Sequence, residues 1–204
     1  MRRSFELFLI VIIAFGCNSP NSVTIPDIKV TKGDPRLGRT PSGVVTYDTI
    51  PFSGSIVTFY PSGTLKTSKQ YSEGKQEGLF LGFYKDGSKG FSRPYKQGEK
   101  HGGHLGWHPD GSQKFKYNFV AGLSEGTQYD WYPDGSLYKE TNYRNGQEFG
   151  SQKIWRKDRK LRANYVVREN GRKYGFAGLK RCTNLDSEDE SFDRITENTN
   201  EFTN

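Results

Sequence analysis

The chain has 204 residues, with 30 Lys and Arg against 23 Asp and Glu and a formal net charge of +7. Hydrophobic residues make up only 32% of it, yet aromatic residues reach 14% and there are 24 glycines. The aromatic content excludes a wholly disordered chain, because disordered sequences are depleted in aromatic residues. The low hydrophobic content argues against a large compact core. A thin sheet held together by a line of large rings accounts for both observations.

The first residues, MRRSFELFLIVIIAFGCNSP, predict a targeting segment rather than part of a fold. Two arginines precede an apolar run at 7–15 that is too short to span a membrane as a helix. The run ends in AFGC at 14–17, which resembles the lipobox of bacterial lipoproteins. We therefore predict a lipoprotein signal peptide at 1–16 and lipidation of Cys17. An ordinary secretory signal or an N-terminal anchor is the alternative.

Composition divides the remaining chain into three segments. Residues 17–43 are rich in Ser, Thr, Pro and Gly without a sustained period, which predicts a flexible tether. Residues 44–178 carry 21 Lys and Arg against 13 Asp and Glu. Residues 179–204 carry 3 against 7, and we expect them to form an acidic, disordered tail. The basic excess of the central segment could favour acidic lipid or glycan, or could simply keep a narrow sheet soluble.

The central segment, 44–178, is an array of repeats. Three glycine series recur in register: 54, 78, 102, 126 and 150; 63, 87, 111 and 135; and 74, 98, 122 and 146. This 24-residue period is typical of stacked supersecondary units, with atypical units at the ends.

The copy at 126–150 shows what one repeat contains. Trp131 and Tyr132 precede the turn sequence Pro-Asp-Gly at 133–135, and Asn145 with Gly146 provides a second hairpin turn. The prediction is therefore an all-β fold: an elongated single antiparallel sheet of successive β-hairpins, in about five 24-residue repeats.

Alternation along the strands predicts two faces of the sheet. Five residues after each opening glycine stands an aromatic residue, and we expect this row to be a buried structural stripe: Phe59, Phe83, Trp107, Trp131 and Trp155. The residue after each one points the other way, and this second row is the predicted open, partner-binding face: Tyr60, Tyr84, His108, Tyr132 and Arg156. The alternative for the second row is that its rings merely cover backbone between narrow strands.

The unit YPDGSL…Y.NG…G resembles the MORN-repeat variant of bacterial proteins of the YwqK antitoxin-like family. The resemblance covers residues 44–178. It implies an elongated antiparallel sheet of hairpins used for contacts with proteins or membrane lipids. The antitoxin-like label implies a protein that binds and restrains a partner.

No residue pattern predicts catalysis, a cofactor or a metal. His104 and His108 would share a strand face but lie about 13 Å apart, too far to share an ion. The recurring aspartates, such as Asp134, fall in the mid-repeat turns, where Asp is favoured for local hydrogen bonding. We therefore expect a non-enzymatic protein with no cofactor.

The predicted function is that of a β-repeat scaffold for protein–protein interaction. Through lipidated Cys17 it would be exported and anchored in the bacterial cell envelope, with the outer membrane favoured over the inner one. Envelope glycan or anionic lipid, bound through rings and bases, is the alternative ligand. Nucleic acid is not expected as a partner, because an exported protein would rarely meet it.

Overall fold

A computed structural model of the protein describes residues 26–178, and within them the chain is all-β. The predicted series of hairpins in one long sheet is confirmed. In chain order the strands are β1 Lys29–Thr31, β2 Leu37–Arg39, β3 Val45–Tyr47, β4 Ile50–Pro51, β5 Gly54–Phe59, β6 Leu65–Ser72, β7 Lys75–Phe83, β8 Lys89–Lys96, β9 Glu99–Lys100, β10 Gly102–Trp107, β11 Gln113–Val120, β12 Leu123–Ser124, β13 Gly126–Trp131, β14 Leu137–Arg144, β15 Gln147–Trp155, β16 Leu161–Val167 and β17 Lys173–Phe176.

Strands of the long sheet lie in the order β1-β5-β6-β7-β8-β10-β11-β13-β14-β15-β16-β17. The short strands β9 and β12 pair with β8 and β11. Each predicted repeat contributes one antiparallel hairpin: β5–β6, β7–β8, β10–β11, β13–β14 and β15–β16. Only the first strand departs from the antiparallel pattern within the described residues, since β1 runs parallel to β5, with Lys29 opposite Ser55.

The predicted turn chemistry is present in the structure. In the mid-repeat turn of the fourth copy, the Asp134 carboxylate accepts hydrogen bonds from the Ser136 backbone N at 2.8 Å and hydroxyl at 2.5 Å. Gly135 has φ 77°, the left-handed conformation that glycine adopts readily. The closing turn of the same copy has φ 50° at Asn145 and 79° at Gly146, as a two-residue hairpin turn requires.

Every repeat carries a β-bulge beside its mid-repeat turn. In the first copy Thr58 pairs with Thr67, but the next residue, Phe59, pairs with Leu65, so one extra residue is accommodated on the return strand. The same shift occurs at Trp131 in the fourth copy. Because bulges increase the local twist of a strand pair, the repeats share one built-in distortion at the same end of each hairpin.

The N-terminal part of the described chain caps the array. Strands β2, β3 and β4 form a separate three-stranded sheet. This sheet is tied to the first repeat by backbone hydrogen bonds from Val45 N to Gly74 O, 2.9 Å, and from Gly74 N to Phe52 O, 2.8 Å. Val45 and Phe52 are buried with Val30 and Tyr71 in one core cluster.

The predicted flexible tether at 17–43 is therefore too long. Strand β1 and strand β2 lie inside it, and Val30 of β1 is a buried core residue. Strands of three residues leave no sustained alternation in a sequence, and β1 is held by a partner strand 26 residues away, at Ser55. The composition of a short segment does not reveal that it pairs with a strand distant in the sequence.

The predicted signal peptide at 1–16, the lipidation site Cys17 and the acidic tail at 179–204 lie outside the described residues. Within 26–178 no helix has the length and apolar character needed to cross a membrane.

Candidate binding surface

The two faces of the long sheet differ in how deeply their side chains are buried. We call one the inner face; its buried members include Phe80, Phe91, His104, Phe115 and Thr141. We call the opposite side, which carries the row Phe59, Phe83, Trp107, Trp131 and Trp155, the outer face. Cross-strand pairs such as Gly82 with Phe91 and Gly106 with Phe115 place the members of the inner face on one side.

The predicted open row lies on the inner face, where Tyr132 is buried and Tyr60, Tyr84 and His108 are half-buried. Each of these four bonds to the backbone carbonyl 23 residues further along the chain. The pairs are Tyr60 with Phe83 at 2.8 Å, Tyr84 with Trp107 at 2.8 Å, His108 with Trp131 at 3.0 Å, and Tyr132 with Trp155 at 3.1 Å. These side chains connect each repeat to the next. This arrangement is close to the alternative prediction, in which the rings cover the backbone between strands.

Arg156 is the exception in this row. It is exposed and occupies the ring position of the fifth copy. Lys157 and Arg159 beside it are also exposed. The carbonyl-binding series therefore ends at Tyr132, and the fifth copy presents a basic turn instead.

A second series of hydrogen bonds joins the repeats across the inner face. Two residues after the opening glycine, His104, Gln128 and Gln152 are all buried. Their side-chain nitrogens donate to the carbonyl oxygens of Pro94, Asn118 and Asn142, at 2.9, 2.9 and 2.7 Å. The three residues differ in type but occupy the same position of the repeat. A histidine in one copy and glutamines in two others therefore perform the same structural task.

Glycines in two strands allow aromatic rings to lie directly over the backbone of the inner face. A Cβ at Gly82 would lie 2.1 Å from the ring of Phe91, and one at Gly106 would lie 2.0 Å from the ring of Phe115. Both glycines must therefore lack a side chain for the rings to lie flat over the strand. Neither glycine has a left-handed φ, so close approach is the reason for them. This pairing of a strand glycine with a cross-strand Phe was the sequence signal that identifies the inner face.

The predicted structural stripe lies on the outer face, and its burial was overestimated. Phe59 is 49% exposed, and Phe83, Trp107, Trp131 and Trp155 are partly exposed. Their rings stand roughly 10 Å apart along the sheet, because successive copies are two strands apart. Lys89 lies 5.5 Å from the Trp107 ring centre, and the Tyr129 ring stacks on Trp131 at 5.6 Å.

Exposed apolar side chains extend this outer row. Leu79 and Phe83 lie on the same strand an even number of residues apart, so their side chains share the outer face. Val166 is the cross-strand partner of Ser151 in the fifth copy and lies on the same side. Tyr174 and Phe176 of the last strand are cross-strand partners of Val166 and Asn164, so they share its side. The exposed large apolar residues on this face include Phe59, Leu79, Leu161, Val166, Tyr174 and Phe176.

Half-buried charged side chains lie on the inner face of the middle repeats. The carboxylate of Asp130 accepts a hydrogen bond from the Tyr117 hydroxyl. Burial raises the pKa of both groups. The Arg93 guanidinium lies 4.4 Å from the Phe91 ring centre, and burial lowers its pKa. Aromatic ring faces stabilise such a cation where carboxylates do not reach it.

The histidines form no metal site in the part of the chain that the structure describes, where no group of three metal-binding side chains converges. His104 is 2% exposed, and burial lowers its pKa to about 4. Its Nε2–H donates to the Pro94 carbonyl, and burial outweighs this bond in favouring the neutral ring.

No protein-family model matches the chain, and no curated protein is significantly similar to it. The resemblance to the MORN-repeat variant accordingly stays a hypothesis that rests on turn sequence and aromatic spacing. What the geometry offers chemically is an extended apolar and aromatic surface with scattered lysines, the outer face.

Proposed function

We propose that the protein is a non-enzymatic scaffold, anchored in the bacterial cell envelope through lipidated Cys17, that binds a protein partner along its outer face. The observation that carries the proposal is the concentration of exposed apolar side chains on that face. Aromatic side chains are enriched at the centres of protein interfaces. A row of five rings at regular spacing would give a partner several equivalent anchors.

The inner face is not proposed as the docking surface. Its tyrosines and His108 already bond to carbonyl groups of the next repeat. A partner that displaced them would leave buried carbonyls without donors, which is costly. The outer rings make no hydrogen bond of this series, so a partner can cover them without breaking the bonds between repeats.

Site-specific photocrosslinking in cells tests the proposed partner. A photoreactive residue at position 107 or 131 should capture the same protein, whereas one at Lys85, in an exposed turn, should not. The purified partner should then bind the Trp107→Glu variant roughly thirtyfold more weakly or worse, as expected of a tryptophan anchor. The Lys85→Glu variant introduces a carboxylate away from the row and should bind normally.

Unchanged affinity of both Trp107→Glu and Trp131→Glu for a partner captured in this way would contradict the outer-face assignment. Membrane attachment is tested separately. Cys17→Ser should abolish metabolic labelling with a fatty acid and release the protein from the membrane fraction. Membrane retention of the unlabelled variant would instead favour an N-terminal anchor.

Glycan is a second candidate ligand, favoured by the stacked rings of Tyr129 and Trp131. Sugars bind to aromatic ring faces, and Lys116 and Lys153 lie on the same side of the sheet. Co-sedimentation with purified envelope polysaccharide, lost in Trp131→Glu, would support it. Flotation with anionic liposomes that weakens steeply with salt would point to lipid instead.

A further inference from the structure

A cavity of about 310 Å³ lies between the N-terminal three-stranded sheet and the first two repeats. One wall is the segment 39–44, which joins β2 to β3. The other walls are the closing turns of the first and second repeats, around Gly74 and Gly98. Its volume is at the lower end of the range for small-molecule sites, so it suits a ligand of about monosaccharide size.

Several of the residues that line this cavity can donate hydrogen bonds. Arg39 and Lys75 contribute cationic side chains, and Tyr71 contributes a hydroxyl. The side-chain nitrogen of Gln76 is buried and has no hydrogen-bond partner among the described residues. A buried amide nitrogen without an acceptor costs stability unless a ligand or water supplies one. No Asp or Glu is among the residues that line the cavity.

The walls are held in place by bonds within the fold. Arg39 Nη1 donates to the carbonyl of Gly43 at 2.7 Å, which fixes the guanidinium while other donors remain. The Gly98 backbone N donates to the Gln76 carbonyl at 2.8 Å, which joins the two closing turns. A Cβ at Gly74 would lie 2.3 Å from Val44, so the turn and the cap touch closely there. Donors on rigid walls lose little entropy when a ligand binds.

The neighbourhood of the cavity is positively charged. Lys69, on the adjacent inner face, has its pKa lowered by burial and then by the charges of Lys32, Arg39 and Arg93. Two carboxylates lie near the cavity, Glu73 on the first closing turn and Glu77 on β7, and each is held by a hydrogen bond to another group. Glu77 accepts from the Gln97 backbone N at 2.7 Å, and Glu73 accepts from the Ser53 hydroxyl at 3.3 Å. Arg39 and Lys75 line the cavity itself and neither carboxylate does, so the charges nearest to an entering anion are positive.

We propose that this cavity binds a small organic anion, a carboxylate or phosphate ester of about monosaccharide size. The Arg39 guanidinium and the Lys75 ammonium bind the oxyanion. Arg39 is suited to the oxyanion because its planar donors match two oxygens at once. Lys75, now 3.4 Å from the Gln97 side-chain oxygen, reorients readily toward the anion. A site of this kind would let a small metabolite stabilise the junction between cap and array.

Calorimetric titration of the full chain in detergent, at low salt, tests the proposal with glucuronate, glucose 6-phosphate and neutral glucose as probes. The two anions should bind and glucose should not. Binding should weaken roughly tenfold or more in Arg39→Gln and in Lys75→Gln, since each loses a charged hydrogen bond. Lys157→Gln, which removes the same charge from an exposed turn of the fifth copy, should bind normally.

Amide NMR spectra identify the site independently of the variants. Addition of either anion should shift the resonances of Gly43, Gly74 and Gly98, and leave those of Gly135 and Gly146 unchanged. Lys75 is exposed, so its variant should fold even if replacement of Arg39 disturbs the cap. Shifts confined to other glycines, equal binding by Lys75→Gln, or no binding of either anion up to about 10 mM would overturn the proposal.

Discussion

The Tyr84 hydroxyl donates a 2.8 Å hydrogen bond to the backbone carbonyl of Trp107, one full repeat further along the chain. Tyr60 and Tyr132 make the same bond in their own copies. In repeat proteins, stability is approximately the sum of each unit's own stability and the interfaces between neighbours. These tyrosines therefore contribute to the stability of the interfaces between neighbouring repeats. The row that the sequence predicted to bind a partner connects the repeats to one another.

Replacement of Tyr84 by Phe should lower the free energy of unfolding by about 1 kcal/mol, the typical net value of one hydrogen bond. The ring is kept, and the hydroxyl with its bond to the Trp107 carbonyl is removed. Urea unfolding measures the change through the midpoint at constant slope. Tyr129→Phe, on the outer face, is the matched control and should leave the midpoint almost unchanged. Equal midpoints for both variants would show that the bond does not couple the repeats.

His104 should make the stability of the protein depend on pH. Burial lowers its pKa to about 4 from the ordinary 6.5, so the unfolded chain binds the proton more tightly than the folded one. Its contribution is therefore complete above about pH 6.5 and is lost as the pH falls toward about 4, by roughly 3 kcal/mol in all. Urea unfolding at a series of pH values across this window measures the loss.

The chain itself supplies the control for that experiment. Gln128 and Gln152 donate to the equivalent carbonyls in later copies, so His104→Gln should preserve the hydrogen bond to Pro94 without a titrating group. The variant should show a flatter profile between pH 6.5 and 4. An unchanged slope in His104→Gln would assign the acid sensitivity to groups other than His104.

Turn sequences predicted the hairpins correctly because their chemistry is local. Gly135 and Asn145 need only their immediate neighbours to adopt left-handed φ values. The two faces were hard to distinguish in the sequence because two adjacent residues, such as Trp131 and Tyr132, are both aromatic in most copies. Which of them is covered depends on the carbonyl 23 residues away. The strand glycines Gly82 and Gly106 carried the missing information, through the rings that cover them.

The first two strands of the cap were assigned to the flexible tether for a related reason. The cap's strands have only two or three residues, and Val30 and Val45 become buried through contacts with the first repeat. Composition alone cannot distinguish such a segment from a linker, since its order arises from pairing distant in sequence. The donor-lined cavity beside Arg39 is likewise a product of tertiary packing.

Thr141→Val should stabilise the protein by about 1 kcal/mol. The Thr141 side chain is 1% exposed, and its hydroxyl has no hydrogen-bond partner among the described residues. Replacing an unpaired buried hydroxyl by a methyl group of similar shape removes a desolvation cost. Thr67→Val is the matched comparison, because the Thr67 hydroxyl bonds to that of Thr58 at 2.6 Å, and it should destabilise by a similar amount. Two changes of the same sign would contradict the account.

Arg159→Gly should also stabilise the protein, by roughly 0.5–1 kcal/mol. Arg159 has φ 62° at the turn position where the other copies have glycine, for example Gly135 at φ 77°. A left-handed conformation strains an arginine but not a glycine, and the gain is reduced by the extra freedom of glycine in the unfolded chain. Thermal unfolding monitored by circular dichroism measures the shift.

Charge must be separated from strain in that last comparison, because Arg156, Lys157 and Arg162 surround the turn. Arg159→Gln removes the charge and keeps the strained backbone, so it should leave the melting temperature nearly unchanged. If Arg159→Gln raised it as much as Arg159→Gly, repulsion among the basic residues would be the cause instead. The reverse exchange, Gly135→Arg, should destabilise the fourth copy, since it introduces at that turn the strain that the fifth copy already carries.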